Sequence, residues 1–233
     1  MKNIKQVLFC AFLGLVAIIF SFLKISYMIG SNKLFLSGIN LIFPILGAFC
    51  GILPSAIFIL LFFLFKKIAF GIVPTFGIPT LISTIFFAVA VKRLYNKSIL
   101  LEVCNFVLSV ILPLLSIFLF VIHPVAKHAF LYSFYWFIPI AIYVLNRFGI
   151  FRSVFFISLS TTFIGHAVGG MIWLYMVEMT AAQWLTLIPI VAIERLTFAC
   201  GITVSFVLFK KLETVFDKYF VKSKLFFFSS IKG

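Results

Sequence analysis

Residues 188–206 read IPIVAIERLTFACGITVSF, from Ile188 to Phe206. The stretch is apolar enough to cross a bilayer, yet Glu194 and Arg195 stand side by side near its middle. Charged side chains at the centre of a membrane helix cost roughly 2.5–3.5 kcal/mol each on insertion scales. A chain that keeps two of them there has a use for them. The rest of the sequence confirms the solvent. Of 233 residues, 64% are hydrophobic and only 10% charged, with a mean hydropathy of +1.29. A soluble domain is about half apolar and a quarter charged. A water-soluble fold of this size has no core large enough for so much apolar surface. The apolar runs are long and continuous rather than short and alternating, which argues against a β-barrel. The expected fold is all-α, a polytopic helical bundle embedded in lipid.

Working outward, the clear spans are 7–29, 99–122, 129–146, 151–177 and 184–209, each near the ~20 residues that cross a bilayer. The region from 34 to 91 is broken by Gly38, Pro44, Gly47, Gly51, Pro54, Gly71, Pro74, Gly77 and Pro79. Proline and glycine interrupt the helical ladder, and bare backbone at membrane depth survives only inside protein or beside a cavity. Loop charge sets the expected topology. Lys2, Lys5, Lys210 and Lys211 place both termini in the cytoplasm of a multi-pass protein of the cell (inner) membrane. Arg147 and Arg152 lie inside; Glu178 and the loop from His123 to His128 lie outside. Six crossings satisfy this if 34–65 crosses once and 68–91 dips in and returns. Eight satisfy it if both broken stretches hold short half-spans, with Lys66 and Lys67 then outside. Six is the expected number.

The chain divides into a transmembrane domain, 1–211, and a basic amphipathic tail, 212–233. In the tail Leu212, Val215, Phe216, Tyr219 and Phe220 form one apolar stripe among lysines, suited to a bilayer surface. The net charge of +14 is Lys-rich and concentrated in loops and at the ends, which fits lipid headgroups and excludes nucleic acid. The first apolar run is too long for a signal peptide and reads as a retained helix. Cys10, Cys50, Cys104 and Cys200 lie inside apolar runs with no CxxC pair, so they read as small packing residues, with neither a disulfide framework nor a zinc site expected.

Adjacent helical residues point about 100° apart, so Glu194 and Arg195 are not expected to face each other. A partner on another helix is needed. His166 lies at similar depth; Glu102 and Asn105 are a second possibility for Arg195. A purely structural clamp is the alternative reading. Thr162, His166, Gly169/Gly170 and Trp173 share a helix face that offers a hydroxyl, an imidazole, a gap and an aromatic wall, as small-molecule sites do. Against that, the glycines would admit a neighbouring helix and His166 would bond a carbonyl. Tyr132, Tyr135, Trp136 and Tyr143 read as an outer aromatic belt, with Tyr135 or Trp136 lining a cavity as the alternative. In the first helix Cys10, Gly14, Ala17 and Ser21 form a flat face for close packing or docking, against this chain or another.

Catalytic motifs are missing. There is no HExxH, GxSxG or Walker motif, and Asp217 is the single aspartate. His123 and His128 flank Pro124 in a loop and do not form a ligand pair on a helix face. No metal, no cofactor and no enzymatic activity are expected. An intramembrane enzyme built on His166 and Glu194 is the lesser reading.

The stretch GINLIFPILGAFCGILPSAIFILLFF resembles a segment of the substrate-binding S components of energy-coupling-factor (ECF) transporters, matched at Pro44, Gly47, Ala48, Phe49, Gly51 and Pro54. The resemblance implies a bend between two short helices and an outward-facing cavity for a vitamin or similar small nutrient. It also implies docking, through the small face of the first helix, on a membrane coupling protein with ATPase subunits. Here that face would be Cys10, Gly14, Ala17 and Ser21. The expected function is solute uptake, with Asn40, Thr162, His166, Trp173, Glu194 and Arg195 holding the solute. The alternatives are a self-contained proton-coupled carrier relaying through His166 and Glu194, and a structural or assembly protein with no ligand.

Overall fold

A computed structural model describes residues 2–23, 37–65, 76–96 and 98–230, with side chains described except at 2–3, 217 and 219–230. The end of the first expected span, the beginning of the broken region at 34, Lys66, Lys67, Gly71 and Pro74 lie outside the described residues. So do the side chains of Lys2, Asp217, Tyr219 and Phe220.

The chain is an all-α multi-pass bundle. Among the described residues there are eight helices: α1 (Lys2–Phe20), α2 (Ile39–Cys50), α3 (Ile52–Phe65), α4 (Ile78–Tyr95), α5 (Ile99–Ile122), α6 (Ala126–Arg147), α7 (Val154–Met176) and α8 (Ala181–Ser230). The last five are long and apolar enough to cross a membrane. The outer faces of the bundle carry large exposed apolar side chains, such as Leu15 and Ile19 on α1, Leu60 on α3, Phe118 on α5 and Val204 on α8. Water would not tolerate apolar surface on this scale, whereas lipid contact accounts for it. The polar residues are turned inward instead: Ser55, Thr84, Ser158 and Thr161 are all buried. Most of their hydroxyls donate to carbonyls one turn back, as in Ser55→Gly51 at 2.8 Å and Thr161→Ile157 at 2.7 Å, which satisfies those donors without water.

The broken region resolves differently from expectation. Gly38 N–H donates to the Leu23 carbonyl at 2.8 Å where α1 ends, while Cys50 is joined to Cys10 by a disulfide near the start of α1. α2 therefore runs antiparallel to α1. At Gly51 the backbone takes φ +91°, a left-handed value that a side chain would resist, and α3 folds back. The return is direct, since the Phe43 ring lies 5.5–6.3 Å from Phe58, Phe62 and Phe63. The hairpin is thus 39–65, the stretch expected to cross once. The described part of 68–91, expected to dip and return, is instead the unbroken 18-residue helix α4. Pro79 allows this because it sits in the first turn, where its missing N–H has no helical acceptor to lose. Five helices are long and apolar enough to cross a membrane, α1 and the two hairpin helices are shorter, and the turn-back expected in 68–91 falls in 39–65 instead.

Prolines mark the other irregularities. In α5 a π-helical turn over Val107–Ile111 precedes Pro113, whose ring displaces the carbonyl four residues back. α6 starts at Ala126, three residues before the expected 129, and opens in 3-10 turns kinked at Ala129 (φ −119°, ψ 28°) through Trp136 before becoming α-helical. α8 runs 50 residues without a break, about 75 Å at 1.5 Å per residue, more than twice a bilayer's hydrocarbon core. The boundary expected at 211/212 is helix on both sides. Phe9 on α1 meets Phe216 on α8 with ring centroids 6.0 Å apart, which puts the two at one end of the bundle, the basal end. A phenylalanine pile fills that half: Phe49, Phe87 and Phe206 pack with Phe9 and Phe43.

Candidate functional site

Above the phenylalanine pile the helices part around a cavity of about 190 Å³. Its walls come from α2, α4, α6, α7 and α8. All six residues expected to hold a solute line it: Asn40, Thr162, His166, Trp173, Glu194 and Arg195. The broken region reaches it through Asn40 and Pro44 at the start of α2 and Pro79 at the start of α4. His166 lies 12 residues along the 23-residue α7, near mid-height of the bundle.

α7 and α4 approach closely beside it. A Cβ at Gly165 would collide with Ser83 Oγ and sit 3.3 Å from the Pro79 carbonyl. Ser83 donates across the same seam to the Thr161 carbonyl at 3.3 Å. The other glycines also face neighbours: Gly169 meets Pro79 and Gly170 meets the Trp136 ring. They admit neighbours and line the cavity at once.

His166 bonds side chains, not the backbone carbonyl considered from sequence. Its Nδ1 is 3.1 Å from Trp136 Nε1, and its Nε2 is 2.7 Å from the Tyr132 hydroxyl. An indole N–H can only donate, so Nδ1 accepts. The neutral ring then carries its proton on Nε2 and donates it to Tyr132 Oη. That leaves the Tyr132 hydroxyl proton free to donate elsewhere, and Tyr132 lines the cavity. A protonated imidazole would set two donors against each other at Nδ1, so this geometry holds His166 neutral.

The charged pair departs from expectation in two ways. Arg195 Nη2 curls back to Glu194 Oε2 at 3.5 Å, so the adjacent residues do touch, because the long arginine side chain spans the 100° between them. And neither finds a partner on another helix. His166 has both nitrogens engaged. Glu102 is held at the basal end by Arg93 at 2.6 Å, Tyr143 at 3.0 Å and Arg147 at 3.5 Å. Arg195 lies over the Phe198 ring at 5.2 Å, and its carbonyl is 3.5 Å from Thr162 Oγ1. Glu194 Oε1 and Arg195 Nε have no hydrogen-bond partner, and neither does Trp184 Nε1. These are the three buried side-chain polar atoms without one among the described residues, and all three residues line this cavity.

The sequence reading missed Tyr132, Ser83, Phe76 and Trp184 as lining residues. Trp184 was legible: Trp184, Leu187, Val191, Glu194, Phe198 and Ile202 recur at helical spacing and form the α8 wall. Tyr132 was assigned to the aromatic belt, but it is buried, as is Trp136. Tyr143 sits at the basal end with Glu102, outside the belt expected for it.

The first-helix face is used within the chain. Cys10 pairs with Cys50, a Cβ at Gly14 would meet Phe58 of α3 at 3.2 Å, and Ala17 and Ser21 are buried. The disulfide corrects the packing-only reading of these cysteines, whose 40-residue separation hides a contact that only the antiparallel α1–α2 pairing makes.

No family model, curated protein or solved structure matches the chain.

Proposed function

We propose that the chain is a membrane solute-binding protein of the uptake type and that the mid-bundle cavity is its site. One observation carries the reading. Every buried polar side-chain atom without a partner, among the described residues, sits on a residue that lines this one cavity. A structural clamp would do the opposite, because a half-satisfied polar cluster in a low-dielectric interior is worse than an apolar one. Aromatic walls with a few oriented polar groups also suit small-molecule recognition. Broken helices beside a mid-membrane site are a feature of transporters.

The proposal includes a cytoplasmic location for both termini, in the cell (inner) membrane, from the loop charges. It also includes, from the resemblance to ECF S components, a membrane coupling protein with ATPase subunits that would supply the energy. The small first-helix face does not carry that docking, since its residues pack inside the chain. A proton relay through His166 and Glu194 has less support, because Trp136 and Tyr132 fix His166 as a neutral group.

The test is uptake by cells or vesicles carrying Arg195→Ala, with insertion checked by membrane fractionation. Loss of uptake by inserted protein is expected. Unchanged uptake would overturn the reading. Purification in mild detergent with mass spectrometry of what accompanies the chain tests the partners: copurified ATPase subunits are expected, and copurified envelope-assembly proteins with no small molecule would favour an assembly role.

A further inference from the structure

We infer that Cys10 and Cys50 form a reversible thiol–disulfide exchange site, opened by dithiol reductants of the cytoplasm. Oxidised, it ties the α2 wall of the cavity to α1; reduced, it frees that wall. The inference rests on the proposed cytoplasmic location of the termini and names a regulation of the proposed solute site.

The pair sits at the basal end. Cys10 lies in the first half of α1, and Cys50 is the last residue of α2. Beside Cys50, the Phe49 carbonyl accepts from Gln6 Nε2 at 3.5 Å, and Lys210 Nζ lies 5.9 Å from the centre of the Phe49 ring. Among the described side chains, every basic residue except Lys127 and Arg195 belongs to a segment at that end. Such an excess of positive charge marks the cytoplasmic side of a membrane protein. Disulfides are rare in that compartment, and those that occur there are mostly transient and catalytic or redox-sensing. A pair placed to bond at this end is a pair that opens and closes.

Geometry allows both states. The two Cα atoms stand 5.6 Å apart. This is within the range of about 4.4–6.8 Å that disulfides bridge, so the bond forms without moving the backbone. Both residues are partly exposed, and exposed disulfides are the labile ones. The exchange proceeds in two steps. A thiolate of the reductant attacks one cysteine sulfur, the S–S bond breaks, and the other cysteine leaves as a thiolate that takes up a proton. The reductant's second thiolate then attacks its own sulfur in the mixed disulfide and releases the first cysteine, which is protonated in turn. The protein gains two electrons and two protons, and the dithiol becomes a cyclic disulfide.

The bond bears on the cavity because α2 carries Asn40 and Pro44 into its lining. With the bond closed, α2 is fastened at both ends: by the disulfide, and by the Gly38 N–H to the Leu23 carbonyl at 2.8 Å. With it open, the basal end keeps the Gln6 bond and the Phe9–Phe49 ring contact at 5.6 Å. Gly47 also stays close against Thr84 of α4. The helix therefore remains packed but loses its covalent tie, and Gly51 follows at once as the turn into α3. Segments held by fewer constraints open locally at lower cost.

Thiol trapping in intact cells tests the exchange. Cells making the full chain are quenched in acid and alkylated with two distinguishable reagents, one before and one after reduction. Mass spectrometry reads the Cys10 and Cys50 peptides, with the free Cys104 as the reference thiol. Thiols are expected during growth, a disulfide after a pulse of the oxidant diamide, and thiols again after its removal. A pair that stays oxidised throughout, or reduced throughout, overturns the inference. Protease access to a C-terminal tag on the same cells reads orientation separately. An external tag overturns the orientation reading, and the cytoplasmic reductant with it; an internal tag with a fixed pair overturns the exchange alone. Hydrogen exchange on the purified chain in lipid nanodiscs, with and without dithiothreitol, reads the tie. Amides of residues 45–50 are expected to exchange at least about threefold faster in the reduced form. Cys50→Ser should show the fast rate under both conditions. Equal rates in the oxidised and reduced chain overturn the control of α2.

Discussion

Glu102 and Glu194 are both glutamates of membrane-spanning helices near arginines, and the chain treats them in opposite ways. Glu102, at the basal end of α5, keeps a third of its side chain exposed and accepts from Arg93, Tyr143 and Arg147 on two other helices. Glu194, in the first third of α8, is almost wholly buried, yet it has one long contact from its own neighbour and an oxygen with none. The more expensive position has the fewer partners. A carboxylate kept for packing looks like Glu102, with its lone pairs filled by groups that tie α4, α5 and α6 together. Under the proposed function, a carboxylate kept for binding looks like Glu194, on a residue that lines the cavity and with one oxygen left without a partner.

Substitutions can break or sharpen that contrast. The largest effect is expected from Arg195→Ala with Glu194→Ala, which should remove solute binding by about a hundredfold or more while the protein still inserts and elutes as a folded species on gel filtration. Because the pair is incompletely satisfied, the double change should leave thermal stability nearly unaltered. A large fall in melting temperature would class Glu194 with Glu102 as a clamp.

Next in size is Gly165→Ala. Its new methyl would meet Ser83 Oγ and the Pro79 carbonyl, and overpacking of this kind costs about 1–3 kcal/mol. Ser83→Ala in the same chain should restore part of the loss, since the hydroxyl is the closest obstacle. A double-mutant cycle on detergent-solubilised unfolding measures the recovery, and strict additivity would disprove the close α4–α7 seam.

Glu102→Gln is expected to cost about 1 kcal/mol, modest because the group is partly exposed and the geometry with Arg93 is retained in part. Solute binding should be unchanged, and that is the mirror image of the Glu194 result. A change in affinity equal to that of Glu194→Gln would erase the distinction between the two carboxylates.

The smallest effect concerns His166. Trp136→Phe removes the indole donor from Nδ1, worth about 0.5–1.5 kcal/mol. Histidine ¹⁵N chemical shifts should show the Nε2–H tautomer in the unaltered protein and a mixture in the variant. A histidine already mixed or cationic before substitution would restore the proton-relay reading.

How far the residues disclosed this can be judged one by one. The face Thr162, His166, Trp173 was legible because α7 is regular, and 3.6-residue spacing places such residues on one side without any tertiary information. Trp184 was equally available on α8. Tyr132 was not, because its position depends on the 3-10 winding of Ala126–Trp136, which rotates each residue relative to an α-helix. The hairpin was half-legible. The density of Pro and Gly marked a break, but which of two broken stretches turned back depended on where each proline fell in its helix: Pro79 in a first turn, Gly51 at a positive φ.

The sequence alone determined that lipid is the solvent, that the chain is helical, and that a charged pair stands inside an apolar helix, because composition and period are local properties that any fold must respect. Only the tertiary structure decided which atoms of that pair are satisfied. Hydrogen bonds at depth join residues 30 to 40 positions apart, such as Trp136 to His166, and the backbone brings them together only after the helices have packed. The same holds for Cys10 with Cys50. A residue type states what a group is able to donate or accept; the packed helices state whether anything is there to meet it.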